Sequence, residues 1–355
     1  MTSSVARPDA AAMEEIAGHS VVLRYGSLEL EYAALRSGAL LVDRSHRMRM
    51  SLEGERRSET LTGLITNDVA ALVPGSGLYA AALTPRGKII ADVRVFARAT
   101  DLLIDVPARA AAGWLAMVRK YVNPRTTLYV DRTTTLGDLA VVGPRARDVV
   151  ARLVGLEADT LLFLSPYSHL AAGRAETEVL VARVPDAGVE GYELFVPEAR
   201  RSSLWQQAIE LGAVPGGLEA WEVARVEAGR PEWGLDIDES TIPQEANLDA
   251  LHAISYTKGC YTGQETVARV HFRGHVNRHL RGLRFDIAQP VARGAQLIDA
   301  TDKVVGDVRT SVTSPRLGGV ALAMVRREIE ADSSIRARWE GSEVALSVLT
   351  LPFPP

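Results

Sequence analysis

Apolar and polar positions alternate over much of the chain and fall into helical spacing in only a few windows. Their order predicts an α+β protein that closes on an all-β segment. Ser20 to Tyr25 reads as a strand, and Tyr32 to Leu41 has helical spacing with Gly38 near its end. Met48, Met50 and Leu52 alternate with polar partners, which predicts a half-buried strand. Glu55 to Leu64 predicts a short helix that runs out at Ile65-Thr66-Asn67-Asp68, where Asn67 and Asp68 can satisfy backbone groups locally. From Leu78 the chain reads L-Y-A-A-A-L-T-P-R-G-K-I-I-A-D, two strands about a Pro85-Arg86-Gly87 turn. A strand from Asp101 to Val106, a helix from Ala108 to Lys120 and a further run to Val130 complete one α+β layer.

After a polar stretch from Asp131 to Gly137 the theme recurs. Strands are expected at Leu139 to Val142, Glu178 to Val184 and Gly191 to Val196, with helices at Ala146 to Leu153 and Glu198 to Leu211. A helix then ends at Gly229, with Pro231 as a stop. Ala220, Val223, Ala224 and Glu227 share a stripe of it, which leaves Arg225 at the flank, facing solvent or reaching a carboxylate or ligand. Short strands follow at Leu283 to Phe285, Gln296 to Ile298, Val304 to Val312, Val320 to Met324 and Val344 to Leu349, the pattern of a small barrel. The resulting plan is a loose tail over 1–18, a region 19–275 of two α+β sub-domains dividing near 135, and a barrel over 276–355.

A chain of 355 residues is too long for one small core. The formal net charge of −4 gives no global attraction to nucleic acid or an anionic membrane, so a polyanion site would have to be local. One cysteine excludes an internal disulfide and fits a reducing cytoplasm. Met1 to Glu15 carry no apolar run of the length a secretory signal needs, and no uncharged apolar stretch of about 18 residues occurs, so neither a signal nor a membrane span is expected.

Candidate chemistry concentrates in Y-T-K-G-C-Y-T-G-Q-E-T-V-A-R, Tyr256 to Arg269. Glycines on both sides of Cys260 predict a tight turn with the thiol near its apex, and Lys258 two residues before it would favour the thiolate. The competing expectation is that Cys260 is a small buried hydrophobe. Gln264 and Glu265 follow directly. Asp92 stands inside a strand between apolar neighbours, where carboxylates are disfavoured, and faces either the pocket side or solvent. From Arg269 to Arg284 there are five Arg and three His with no acid. His271, His275 and His279 would align on a helix as metal ligands, but Gly274 with interleaved Val270, Phe272 and Val276 predicts a strand or loop, and no metal site is expected. The stretch reads as an anion-binding rim, for phosphate, polyglutamate or weak RNA contact, or as a solvated strand face.

K-G-C-Y-T-G-Q-E followed by A-R resembles the signature of YgfZ-type proteins, a branch of the folate-binding family that also contains the glycine-cleavage aminomethyltransferase, the T-protein. L-I-T-N-D-V at Leu64 to Val69, the Tyr79 to Asp92 segment, G-V-E-G-Y-E-L at Gly188 to Leu194 and R-V-E-A-G at Arg225 to Gly229 extend the resemblance over most of the chain. It implies a three-domain ring, two ferredoxin-like α+β domains and a C-terminal β-barrel, around a central opening that holds tetrahydrofolate. It carries over Tyr79 and Asp92 to the folate amine, Glu193 to the pterin ring, Arg225 as a helix arginine and Trp233 as an aromatic near the pocket. Lys258, Cys260, Gln264 and Glu265 would form a second functional centre. Departures point away from aminomethyl transfer, among them D-A-G-V at Asp186 to Val189 in place of a T-G-E turn and the loss of an asparagine near Asp105-Val106. Ala91-Asp92 stands where the aminomethyltransferases have two aspartates, and the cysteine turn replaces a thiol-free sequence. The resemblance therefore implies a YgfZ-like accessory protein for iron–sulfur cluster assembly or repair, with iron–sulfur clients as partners and an influence on tRNA modification. The alternative is a tetrahydrofolate-dependent aminomethyltransferase.

Overall fold

The structure, a computed structural model, describes residues 10–173, 177–286 and 290–354. They form two compact units. The first comprises the described residues up to Thr62, with Asp68–Tyr79 and Val93–Trp221; the second comprises Gly63–Asn67, Ala80–Asp92 and the chain from Glu222 onward.

The first unit carries a six-stranded sheet in the order His169–Ala172, Val179–Arg183, Gly191–Pro197, Leu136–Val142, Leu40–Asp43 and Val214–Gly216. All its pairings are antiparallel except the last, where Val214–Gly216 runs parallel to Leu40–Asp43. Helices Ala146–Val154 and Glu198–Glu210 cover one face, and Val149, Val150, Leu204 and Trp205 bury their apolar stripes against Leu139, Val141 and Leu194. A second sheet has the order Gly77–Leu83, Ile89–Ala97, Asp101–Val106, Met48–Glu53, Leu128–Asp131, and its first two strands pass out of the first unit at Tyr79 and Asp92.

In the second unit six strands close into a barrel: Arg278–Phe285, Gly318–Arg326, Val304–Ser314, Gln296–Ile298, Ser334–Trp339 and Ser342–Leu349, the last pairing back onto the first. Leu283, Val308, Ala323, Ile335 and Val348 fill its interior. Helix Leu218–Glu227 lays Val226 on a separate apolar cluster with Leu280, Leu322, Met324 and Phe353. The α+β architecture with a closing barrel is the fold class expected from the apolar pattern.

Several expectations need correction. Residues 1–18 are not a tail throughout: residues 1–9 lie outside the described range, but Ala12–Ile16 pairs antiparallel with His19–Arg24 about a turn at Ala17-Gly18. The helix expected at Tyr32 to Leu41 is Leu28–Ser37, N-capped by Ser27 and ended at Gly38, and Leu40–Asp43 is already a strand. Met48–Glu53 is not half-buried, since Arg49 and Ser51 are fully buried with the methionines. Arg49 can sit there because its guanidinium donates to the carbonyls of Arg47, Ser45 and Thr133. The largest departure lies between Gln264 and Arg273, which is a helix, not a strand or loop. Gly263, at φ +84°, turns the chain into it and Gly274 ends it. Val267 supplies the buried face while Phe272 is 66% exposed, so the alternation that suggested a strand counts a solvent-facing phenylalanine as core.

Candidate functional site

In the second unit the cysteine turn is built onto the tip of a hairpin. A Cβ on Gly263 would lie 2.6 Å from the Thr84 carbonyl and 3.0 Å from Gly87 Cα, so only glycine permits this backbone contact. Thr266 Oγ1 donates to the Arg86 carbonyl at 3.2 Å, and Thr262 N–H to the Gly63 carbonyl at 3.0 Å. The L-I-T-N-D segment completes the assembly. Thr66 pairs with Ala81 through its backbone and accepts the Ala81 N–H on its hydroxyl, which in turn donates to the Ala253 carbonyl at 2.6 Å. The glycines and threonines of the sequence motifs are thus the joints of one structure.

Cys260 is exposed at this turn, which sets aside the expectation of a small buried hydrophobe. Lys258 is turned inward instead of towards solvent. Its ammonium donates to the Ile65 and Asn67 carbonyls at 2.7 and 2.8 Å and lies 4.8 Å from the Tyr261 ring centre. It tethers the turn to the L-I-T-N-D segment, a role sequence reasoning did not foresee. Gln264 opens the helix half-buried and Glu265 is exposed beside it.

Asp92 is 6% exposed, and its Oδ1 accepts the backbone N–H of Trp233 at 3.1 Å. The Trp233 indole donates to the Ile89 carbonyl at 3.1 Å, so the strand bearing Asp92 holds this aromatic at two points. Arg225 is 2% exposed and engaged on all sides, by Glu222, Asp236, the Arg230 carbonyl and Thr310 Oγ1. It does not lie exposed on the helix flank. Its fork reaches carboxylates, but they belong to the protein.

In the first unit Glu193 lies at the centre of a buried ion network. Arg94 Nη1 donates to Glu193 Oε1 at 2.6 Å, Arg44 approaches the same oxygen at 3.4 Å, and Arg94 and Arg47 both hold Asp105. Arg44 lies 3.8 Å over the Trp221 ring. Among the described residues Glu193 Oε2 has no hydrogen-bond partner. Tyr79 is buried and stacks on Tyr167, with ring centres 6.0 Å apart; the Tyr167 hydroxyl donates to Asp186, whose carboxylate lies 3.6 Å from Arg94. Sequence reasoning found Tyr79 and Glu193 but missed Arg44, Arg47, Arg94, Asp105 and Asp138. The available signal was the unusual density of arginine in D-R-S-H-R-M-R and a second strand charge two residues after Asp92.

Burial alone would raise the Asp105 carboxyl, but the guanidiniums of Arg47 and Arg94 hold it well below the ordinary carboxylate range. Asp138 goes the other way. Burial, reinforced by the charges of Glu193 and Asp105, raises its carboxyl well above the ordinary value. The folded state therefore binds a proton at Asp138 that the unfolded chain releases near pH 3.9. That contribution is complete below the unfolded value and is lost as pH rises towards the folded one. Asp138→Asn is expected to flatten this decline, so that the melting temperature of the variant falls less than that of the wild type between pH 5 and 8 (about). Parallel melting curves across that range would disprove the assignment.

Of the expected site residues, Tyr79 and Glu193 belong to the first unit; Asp92, Arg225, Trp233, Lys258, Cys260, Gln264 and Glu265 belong to the second. The basic stretch is divided between a helix end and a barrel strand, and Arg278 is paired with Glu245 at 3.0 Å. Among the described residues no cluster of His, Cys, Asp and Glu could hold a metal ion, and no helix is long and apolar enough to cross a membrane.

The model of the GCVT N-terminal domain family matches residues 3–256, and that of the glycine cleavage T-protein C-terminal barrel domain matches residues 278–354. The chain belongs to the glycine cleavage T-protein family. It is 30% identical to an aminomethyltransferase of Rubrobacter xylanophilus over 97% of this chain and 90% of that one. It is also 30% identical to an aminomethyltransferase of Ralstonia pickettii over 99% and 96% of the two chains. Among solved structures, the glycine cleavage system aminomethyltransferase T of Bartonella henselae is similar with a TM-score of 0.87 and 25% identity, covering 97% of this chain and 94% of that one.

Proposed function

We propose that the protein binds tetrahydrofolate and acts as an accessory factor of the YgfZ type, supporting iron–sulfur cluster assembly or repair and thereby tRNA modification, with Cys260 as its working thiol. The folate part of the reading is supported by Glu193. Its Oε1 is fixed by Arg94 while Oε2 lacks a donor among the described residues, and the paired N–H groups of a pterin supply one. Asp92 takes the reactive folate nitrogen in this reading, and Trp233, held against the same strand, offers a flat face. When bound, tetrahydrofolate supplies a nitrogen that carries a one-carbon group.

The branch rests on one observation: Cys260 stands exposed on a turn whose neighbours, Lys258 and Gly263, are both committed to holding it. A single thiol does not hold a stable cluster, which usually takes four ligands, so Cys260 acts transiently or through a client's ligands. Cys260→Ser is expected to leave tetrahydrofolate affinity unchanged and to abolish recovery of cluster-dependent enzyme activity in cells lacking the protein. Full recovery with the variant would remove the thiol from the mechanism.

A second reading, tetrahydrofolate-dependent aminomethyl transfer, is favoured by the full-length similarity to aminomethyltransferases and by the burial of Asp92 beside Trp233. Production of methylenetetrahydrofolate from an aminomethyl donor by the pure protein, lost in Asp92→Asn, would establish it in place of the accessory role.

A further inference from the structure

The histidines spaced by fours play no part in the folate reading, yet the fold gathers all three. His271 and His275, from the end of helix Gln264–Arg273 and the residues after it, and His279, from the first barrel strand, line one cavity of about 550 Å³ in the second unit. That size lies within the ~300–1,000 Å³ usual for small-molecule sites. The cavity shares no lining residue with the candidate folate and thiol positions.

Its chemistry is asymmetric. Val270, Val276, Leu280, Leu251 and Leu351 give it apolar walls. Arg281 also lines it, and among the described residues this guanidinium has no ion-pair or hydrogen-bond partner. The His271 ring is held rigid by stacking on Tyr256 at 3.6 Å between centres, and the Tyr256 hydroxyl donates to Asp249, a further lining residue. Gln244 is 7% exposed and lines the same space. Its Nε2 donates to the Val267 carbonyl at 2.8 Å, which fixes the amide, while Oε1 has no donor among the described residues. Among the described residues the cavity thus offers a free cation, a buried acceptor without a donor, apolar walls and the fixed His271 ring. Metal ligation does not explain it, since its histidines and Asp249 do not converge as a ligand set.

We propose that this cavity is a second ligand site for a small organic anion with a flat, amino-bearing ring, the chemical class of a nucleoside monophosphate. Arg281, flanked by His279, takes the phosphate; Gln244 Oε1 accepts the ring amino N–H; and Asp249 is placed for a sugar hydroxyl. A phosphate paired with one guanidinium gains a charge-assisted bond that the nucleoside lacks.

The test is calorimetric titration of the full chain with adenosine monophosphate, adenosine and ribose 5-phosphate. The expected result is saturable one-to-one binding of the nucleotide, at least about tenfold tighter than either fragment, the scale of one lost charged hydrogen bond. Arg281→Ala should bring the nucleotide down to the affinity of adenosine, and Gln244→Leu should bring it down to that of ribose 5-phosphate, with melting curves verifying that both variants fold. Saturating tetrahydrofolate should leave the nucleotide affinity unchanged. Absence of nucleotide binding at millimolar concentration, equal affinity in Arg281→Ala, or one-for-one displacement by tetrahydrofolate would each overturn the proposal. None of these outcomes depends on whether the folate reading holds.

Discussion

Arg94→Ala is expected to destabilise the first unit by roughly 3–5 kcal/mol, the scale of removing one partner from a buried ion pair. Arg94 is 1% exposed and bonds two carboxylates, Asp105 and Glu193, that are themselves buried. Truncation leaves Glu193 with only the 3.4 Å approach of Arg44 and leaves Asp105 with Arg47 alone. The two carboxylates must then take up protons or admit water, and both cost folding free energy. Denaturant unfolding should report the loss, and Arg94→Lys should recover only part of it, because an ammonium lacks the planar fork that serves two acceptors. A variant within about 1 kcal/mol of the wild type would show that the network contributes little beyond an exposed pair.

Glu193→Gln is expected to weaken tetrahydrofolate binding by about tenfold to a hundredfold or more, the range of a hydrogen bond to a charged group. The substitution keeps the side-chain shape, and Asp105 still holds Arg94, so the fold should survive. It exchanges an acceptor-only carboxylate for an amide that presents one oxygen and one nitrogen, and paired N–H donors can use only the oxygen. Equilibrium binding of tetrahydrofolate, measured with a melting curve of the same preparation, separates this effect from unfolding. Unchanged affinity would remove Glu193 from the pterin.

The two predictions concern residues that differ in how legible they were. Glu193 stands in G-Y-E-L, a pattern visible without coordinates, whereas Arg94 alternates with valines in a strand and looks like a solvent-facing position. Period-two alternation assigns charge to the exposed face, and that inference fails where buried arginines and aspartates neutralise one another across strands. The same failure hid Arg47, Arg49, Asp105 and Asp138, all buried. The barrel was legible because its strands are short, turn-bounded and apolar on one face; only Ser334–Trp339, with Arg336 and Arg338 on its outer side, escaped notice.

The cysteine turn shows the opposite case. Its glycines predicted the turn correctly, and Gly263 with a positive φ is where they are needed. Spacing alone pairs Lys258 with the thiol, but it bonds carbonyls nearly two hundred residues earlier in the chain, which no local pattern encodes. Arg225 likewise looked half-exposed on a helix wheel because Asp236, its main partner, comes from the loop after the helix.

Direct titration of the pure protein with tetrahydrofolate, excluding oxygen, bears most directly on the account. Saturable binding of one equivalent is expected, weakened in both Glu193→Gln and Asp92→Asn and unchanged in Cys260→Ser. Absence of saturable binding by the wild type, with the chain folded, would contradict it.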